Sequence, residues 1–144
     1  MKPTLPQRGV CEFIATFVLV FIGCGAMVVD DVHGGVVSHA GIAIAWGLAV
    51  MTMIYAVGDI SGAHLNPAVS VAFSVAGRQR WRDTGVYSVA QVLGAVAAAG
   101  VLRLCFPAHP TLGSTMVSDG LLAAGVFEAV MSFILMFVIL GVST

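Results

Sequence analysis

Ser61-Gly62-Ala63-His64-Leu65-Asn66-Pro67-Ala68-Val69-Ser70 closes one long apolar run, and a second apolar segment begins within it. It contains the only asparagine of the chain, Asn66. With apolar sequence on both sides, the Asn66 amide is expected at membrane depth. An unpaired amide in hydrocarbon costs roughly several kcal/mol, so it must find partners or line a wet cavity. That requirement points to a pore.

The segment behind Asn66 sets the path of the chain. Residues 67–76 are apolar but few. At about 1.5 Å per residue, ~10 residues reach about 15 Å, half of a ~30 Å hydrocarbon core. Pro67 suits the first turn of a helix, where its missing N–H costs nothing, and Gly77 followed by Arg78 reads as the end. The expectation is a re-entrant half-helix that starts near mid-membrane and returns to the side it entered from.

Around it the composition is that of an integral membrane protein. Of the 144 residues 59% are hydrophobic and only 9% charged, with a mean hydropathy of +1.03. A soluble domain carries roughly 25% charged residues. Full spans are expected over 10–29, 40–57, 85–106 and 121–142, with a loop at 107–118. A net charge of −1, with no basic cluster beyond Arg78, Arg80 and Arg82, gives no sign of nucleic-acid binding. Cys11, Cys24 and Cys105 show no metal-ligand or CxxC spacing and read as small hydrophobes. A signal-peptide reading of the N-terminus fails, because the run from Phe13 to Val29 exceeds the ~7–15 residues of an h-region and further spans follow.

Charge asymmetry supports the re-entrant path. If the half-helix dips and returns, Lys2, Arg8, Arg78, Arg80 and Arg82 share one face, five of the six Lys/Arg. By the positive-inside rule that face and the N-terminus are expected to be cytoplasmic, and the expected location is the cell's inner, plasma membrane. A full span over 67–76 would put the arginines outside. There is also an internal echo. Glu12 through Phe21 aligns with Glu128 through Phe137, each reading Glu, a hydroxyl residue four positions on, then Phe, Leu and Phe. Three crossings separate the copies, so they enter from opposite faces, as in the inverted repeats of transport proteins. The expected domains are 1–118, a first repeat, and 119–144, the opening span of an incomplete second one.

The 61–70 stretch resembles the first signature of the major intrinsic proteins, the aquaporins and glycerol facilitators. Further likenesses are the Glu12–Phe17 opening, Gly23-Cys24-Gly25, Trp46-Gly47-Leu48, Ala90-Gln91 and the Glu128 segment. Within the family the chain is similar to the bacterial relatives of nodulin-26-like proteins and to glycerol facilitators. The resemblance implies an all-α, right-handed bundle, here incomplete, with four transmembrane helices and one re-entrant Asn-Pro-Ala half-helix. The family's second half-helix and filter arginine lie beyond these residues. The expectation is either a truncated, non-conducting membrane remnant or a chain whose copies assemble to complete a pore.

The implied activity is passive passage of water and small uncharged solutes such as glycerol, without enzyme chemistry, metal or cofactor. The implied partners are the lipid bilayer, these solutes and other copies of the chain, a homotetramer in the intact family. Asn66, Pro67 and Ala68 form the half-helix tip, where unsatisfied N–H groups and the macrodipole amount to roughly half a positive charge. Gly62, Ala63 and His64, expected in extended loop, offer backbone carbonyls as a ladder of acceptors. Trp46 falls where the family places an aromatic wall of its outer constriction. Glu12 and Glu128, carboxylates in or beside spans, either relay protons or, as in the family, brace the half-helix loops. Gln91 is an interhelical hydrogen-bonder. The run Gly94 to Gly100 gives its span a small-residue face for close packing.

Overall fold

The computed structural model describes residues 2–117 and 120–143. The expected domain boundary at 118/119 therefore lies outside the described residues. Five helices follow one another: α1 (Leu5–Val32), α2 (Ser38–Ser61), α3 (Pro67–Val75), α4 (Trp81–Cys105) and α5 (Leu121–Val142). Among the described residues there is no strand. Four helices, all but α3, are long and apolar enough to cross a membrane. The chain divides into two compact units, Met1–Ser114 and Thr115–Thr144.

In the first unit every expected element is present, but the long helices are longer than hydropathy alone implied. α1 begins at Leu5, five residues before the expected span. Thr4 and Gln7 form a capping box, with the Thr4 N–H donating to Gln7 Oε1 at 2.8 Å, and Pro6 occupies the first turn. α1 also runs through Asp30 and Asp31, where a break was expected. The aspartates fit because Asp30 folds back onto the next element, its Oδ1 accepting from Val37 N and Ser38 N at 2.8 Å each. α2 continues past Gly58 and Asp59, the expected end, to Ser61. Its cap is Gly62, at φ +90°, the left-handed geometry that glycine adopts without penalty. α4 starts at Trp81 instead of Gly85. Hydrophobicity marks where a helix is buried in lipid; caps mark where its backbone bonds begin.

α3 spans 9 residues, with Asn66 as N-cap and Ala76 as C-cap. Its end is a Schellman turn: Arg78 N donates to Phe73 O at 2.9 Å and Gly77 N to Ser74 O at 3.0 Å, with Gly77 at φ +71°.

Side-chain bonds fix how these helices run. The Arg8–Asp83 ion pair, at 2.8 Å, joins the first turns of α1 and α4. The His109–Asp31 contact, at 2.9 Å, ties the loop after α4 to the last turn of α1. α1 and α4 are therefore parallel, with α2 antiparallel between a short connection and the α3 loop. Ser74 bonds Thr84 in the first turn of α4, whereas Ser70 bonds Gln91 at 3.1 Å, ten residues into α4. At about 1.5 Å per residue Ser70 lies about 15 Å inside that end, and Asn66, one turn further along α3, about 21 Å inside. The 25-residue α4 is about 37 Å long. The N-terminus of α3 thus sits near mid-depth and its C-terminus at the end where α4 begins.

α1 and α4 approach closely because Gly94 faces the α1 backbone. A Cβ there would lie 2.4 Å from Phe13 O. The buried positions of α4 are Thr84, Tyr87, Gln91, Gly94, Ala98 and Leu102, a stripe at spacings of three and four. The small-residue face is accordingly narrower than the 94–100 run suggested: Gly94 and Ala98 are on it, and Gly100 is exposed. In the second unit α5 matches the expected span 121–142 and carries Glu128, with Phe133 and Phe137 stacked one turn apart.

Candidate functional site

The site is the α2–α3 connection, held from below by one carboxylate. Glu12, fully buried on α1, accepts four hydrogen bonds. Its Oε1 takes Ser61 Oγ at 2.7 Å and His64 N at 3.0 Å. Its Oε2 takes Leu65 N at 2.8 Å and Gln91 Nε2 at 2.7 Å. Four donors fill the acceptor positions of both carboxylate oxygens. Glu12 thus bonds two N–H groups of the α2–α3 connection and, through Gln91, the fourth helix.

The connection is not extended, as the sequence suggested, but twisted. Gly62, Ala63 and Leu65 all have positive φ, at +90°, +48° and +60°. For alanine and leucine this is strained backbone of order 1 kcal/mol or more, which persists only when its surroundings over-determine it. Here they do. Glu12 holds two consecutive N–H groups, Ala63 N donates to Ser61 Oγ at 3.1 Å, and Thr16 Oγ1 donates to Leu65 O at 3.2 Å. Tyr87 OH donates to Ser61 O at 2.6 Å. Ala63 and Leu65 are buried against Ala15, with Leu19, Val50, Met53 and Val57 around them.

His64 turns inward. Its ring stacks on Phe73 at 4.3 Å, meets Tyr87 edge-on at 5.2 Å, and shares a 3.0 Å hydrogen bond through Nδ1 with Ser70 Oγ. The ring is thereby bonded to the half-helix it precedes. Among the described residues no cluster of three His, Cys, Asp or Glu could hold a metal.

What remains open is on the other side. The carbonyls of Ser61 and Leu65 are occupied, but those of Gly62, Ala63 and His64 accept no hydrogen bond among the described residues. These are the three residues expected to offer acceptors. Asn66 is exposed. Its Oδ1 accepts from Ala68 N at 2.8 Å, capping α3, so the amide orientation is set and Nδ2 is left as a pair of unused donors. Pro67 begins α3, and Ala68, exposed beside Asn66, adds no bulk. Trp46 packs over Gly23, where a Cβ would lie 2.2 Å from the indole ring. It is therefore not part of the Asn66 cluster. Glu128 stands on α5, in the second unit.

These features define a multi-pass membrane protein with a re-entrant half-helix whose capped tip presents an amide donor beside a row of unsatisfied carbonyls. The chain belongs to the major intrinsic protein family, whose family model matches residues 1–144. It is 46% identical over 139 residues to "Aquaporin NIP1-1" of Oryza sativa subsp. japonica, covering 96% of this chain and 49% of that protein. It is 48% identical over 145 residues to "Aquaporin NIP1-4" of the same plant, covering 100% and 53%. "Putative aquaporin NIP4-1" of Arabidopsis thaliana is 45% identical over 141 residues, covering 97% and 50%. The chain spans about half the length of the curated relatives it matches.

Proposed function

We propose that this chain forms one half of the wall of a passive transmembrane channel for water and small uncharged solutes such as glycerol. The observation that carries the reading is the state of Asn66. With Oδ1 committed to Ala68 N, its amide can only donate outward, so it selects molecules that accept: water or a hydroxyl oxygen. Gly62, Ala63 and His64 carbonyls supply the acceptors such a molecule needs as it loses its hydration shell. The positive end of α3 in a low-dielectric throat disfavours cations and protons. No covalent step and no cofactor is involved.

A throat of this kind needs a facing half-helix, supplied by further sequence or by a second copy. In this reading residues 1–118 are the first repeat, and 119–144 open an inverted second one in which Glu128 braces the facing loop. The protomers assemble as homotetramers, and the N-terminus faces the cytoplasm of an inner, plasma membrane. Trp46 borders the outer constriction and favours glycerol-sized solutes.

Stopped-flow shrinkage of proteoliposomes tests the reading. Asn66→Asp keeps an oxygen to cap Ala68 N but removes both outward donors. Osmotic water flux above that of empty vesicles, rising faster than linearly with chain density as copies pair, is expected for the native chain. The Asp variant should insert equally well and lose most of that excess flux. Native and Asp chains that conduct alike would remove Asn66 from the pore.

A further inference from the structure

At the end of the first unit where α1 and α4 finish, the loop after α4 is folded around one histidine. His109 is 8% exposed, and its imidazole is bonded through both nitrogens. Leu112 N donates to Nδ1 at 2.9 Å, so Nδ1 carries the lone pair and the proton of the neutral ring is on Nε2. Nε2 in turn donates to Asp31 Oδ2, in the last turn of α1, at 2.9 Å. The backbone around the ring is tied down as well. His109 N donates to Phe106 O and Ser114 N to Thr111 O, each at 3.1 Å. Arg103 Nη1 donates to His109 O at 2.6 Å and to Pro107 O at 3.2 Å. The turn that Leu112 N closes is strained, with Leu112 at φ +51°, a backbone that leucine does not prefer. It delivers Gly113 onto α1, where a Cβ would lie 2.9 Å from Cys24 O.

We propose that His109 is a proton-operated latch that holds residues 109–114 against the last turns of α1 and releases them on acidification. With Nε2 already bearing a proton, a second can only go to Nδ1. The imidazolium then points an N–H at the Leu112 N–H, two donors face each other, and that bond is lost. Asp31 keeps its hold on Nε2–H in both forms, so the ring stays and the 109–112 turn opens. Leu112, no longer held, relaxes toward ordinary backbone, and Gly113 lifts from Cys24. Cys24 follows Gly23, on which Trp46 packs, so the loop lies one residue from that contact. The neighbours decide how readily the proton arrives. Asp31, and the negative end of the helix on which it stands, favour the imidazolium; Arg103 from α4 and the burial of the ring oppose it. Asp30 is next to Asp31, but its Oδ1 is taken by Val37 N and Ser38 N. His33, the C-cap of α1, and His39, in the first turn of α2, are the other imidazoles at this end, and both are exposed. The latch does not depend on the chain conducting.

Amide exchange of the isotopically labelled chain in detergent, followed by NMR, tests it at Leu112. The protection factor compares the observed rate with the intrinsic rate at the same pH, which removes the ordinary pH dependence of exchange. Between about pH 8 and pH 5, the interval in which imidazoles ordinarily titrate, the Leu112 factor should fall on the order of tenfold, the scale of one lost hydrogen bond. Asp31→Asn, at a side chain 72% exposed, keeps an acceptor for Nε2–H but removes the charge that favours the imidazolium, so the fall should move to lower pH. His109→Gln should abolish the pH dependence, and His33→Gln combined with His39→Gln should leave it in place. A Leu112 factor equal at both ends of the interval would overturn the latch. So would a fall that persists in His109→Gln, disappears in the double variant, or is unmoved by Asp31→Asn.

Discussion

Glu12 organises the site because its carboxylate reaches both halves of the α2–α3 connection and α4 at once. The residues it holds have no reason of their own to be where they are. Ala63 and Leu65 occupy left-handed backbone that neither prefers. Glu12→Ala would strand two backbone N–H groups, the Ser61 hydroxyl and the Gln91 amide in the interior. An unsatisfied buried donor costs about 1–3 kcal/mol, so the loss should total several kcal/mol and appear as a sharp fall in thermal midpoint in detergent. Glu12→Gln keeps one carbonyl oxygen but aims an NH2 at two other donors, and should fall between the two. A midpoint unchanged in Glu12→Ala would mean that the connection holds its twisted form without the carboxylate.

At the scale of elements, packing between α1 and α4 depends on a missing side chain. Gly94 meets the Phe13 carbonyl and the Phe17 amide, both backbone, so neither can rotate away from an added methyl. Gly94→Ala should force the helices apart and disturb Gln91, one turn earlier, whereas Gly100→Ala, with nothing within 4 Å, should be neutral or slightly stabilising through helix propensity. Thermal stability of the pair in detergent reads this difference, expected at roughly 1–3 kcal/mol by analogy with overpacked cores. Equal midpoints would show that the helices can shift apart without loss. The same contrast shows what the sequence could reveal. The half-helix was legible because Asn66-Pro67 and Gly77 mark its two ends, and the full spans because hydropathy is unmistakable. The start of α1 at Leu5 was missed because the Thr4–Gln7 capping box lies outside the apolar run that hydropathy marks. Which of the small residues from Gly94 to Gly100 touch α1 was not legible, because that depends on the rotation of α4 about its axis. Nor was the inversion of backbone at Ala63 and Leu65, which their side chains oppose and the bonds of Glu12, Ser61 and Thr16 together impose.

At the scale of the whole molecule, the path of the chain through the membrane follows from α3 being too short to cross. Its 9 residues cover about 14 Å, and its far end returns to the turn in which Arg78 and Arg80 stand, beside Arg8 and Lys2. The connection between α1 and α2 must then lie on the opposite face. This can be read directly in a background with Cys11, Cys24 and Cys105 replaced by serine or alanine. Single cysteines at Lys2, Arg80 and Val36, all exposed positions, are treated in sealed, oriented vesicles with a thiol reagent that does not cross lipid. Lys2→Cys and Arg80→Cys should label from the same side and Val36→Cys only from the other. If 67–76 crossed completely, Arg80→Cys would label with Val36→Cys. Asn66 would then lie at a loop end in bulk water, where an amide donor discriminates nothing.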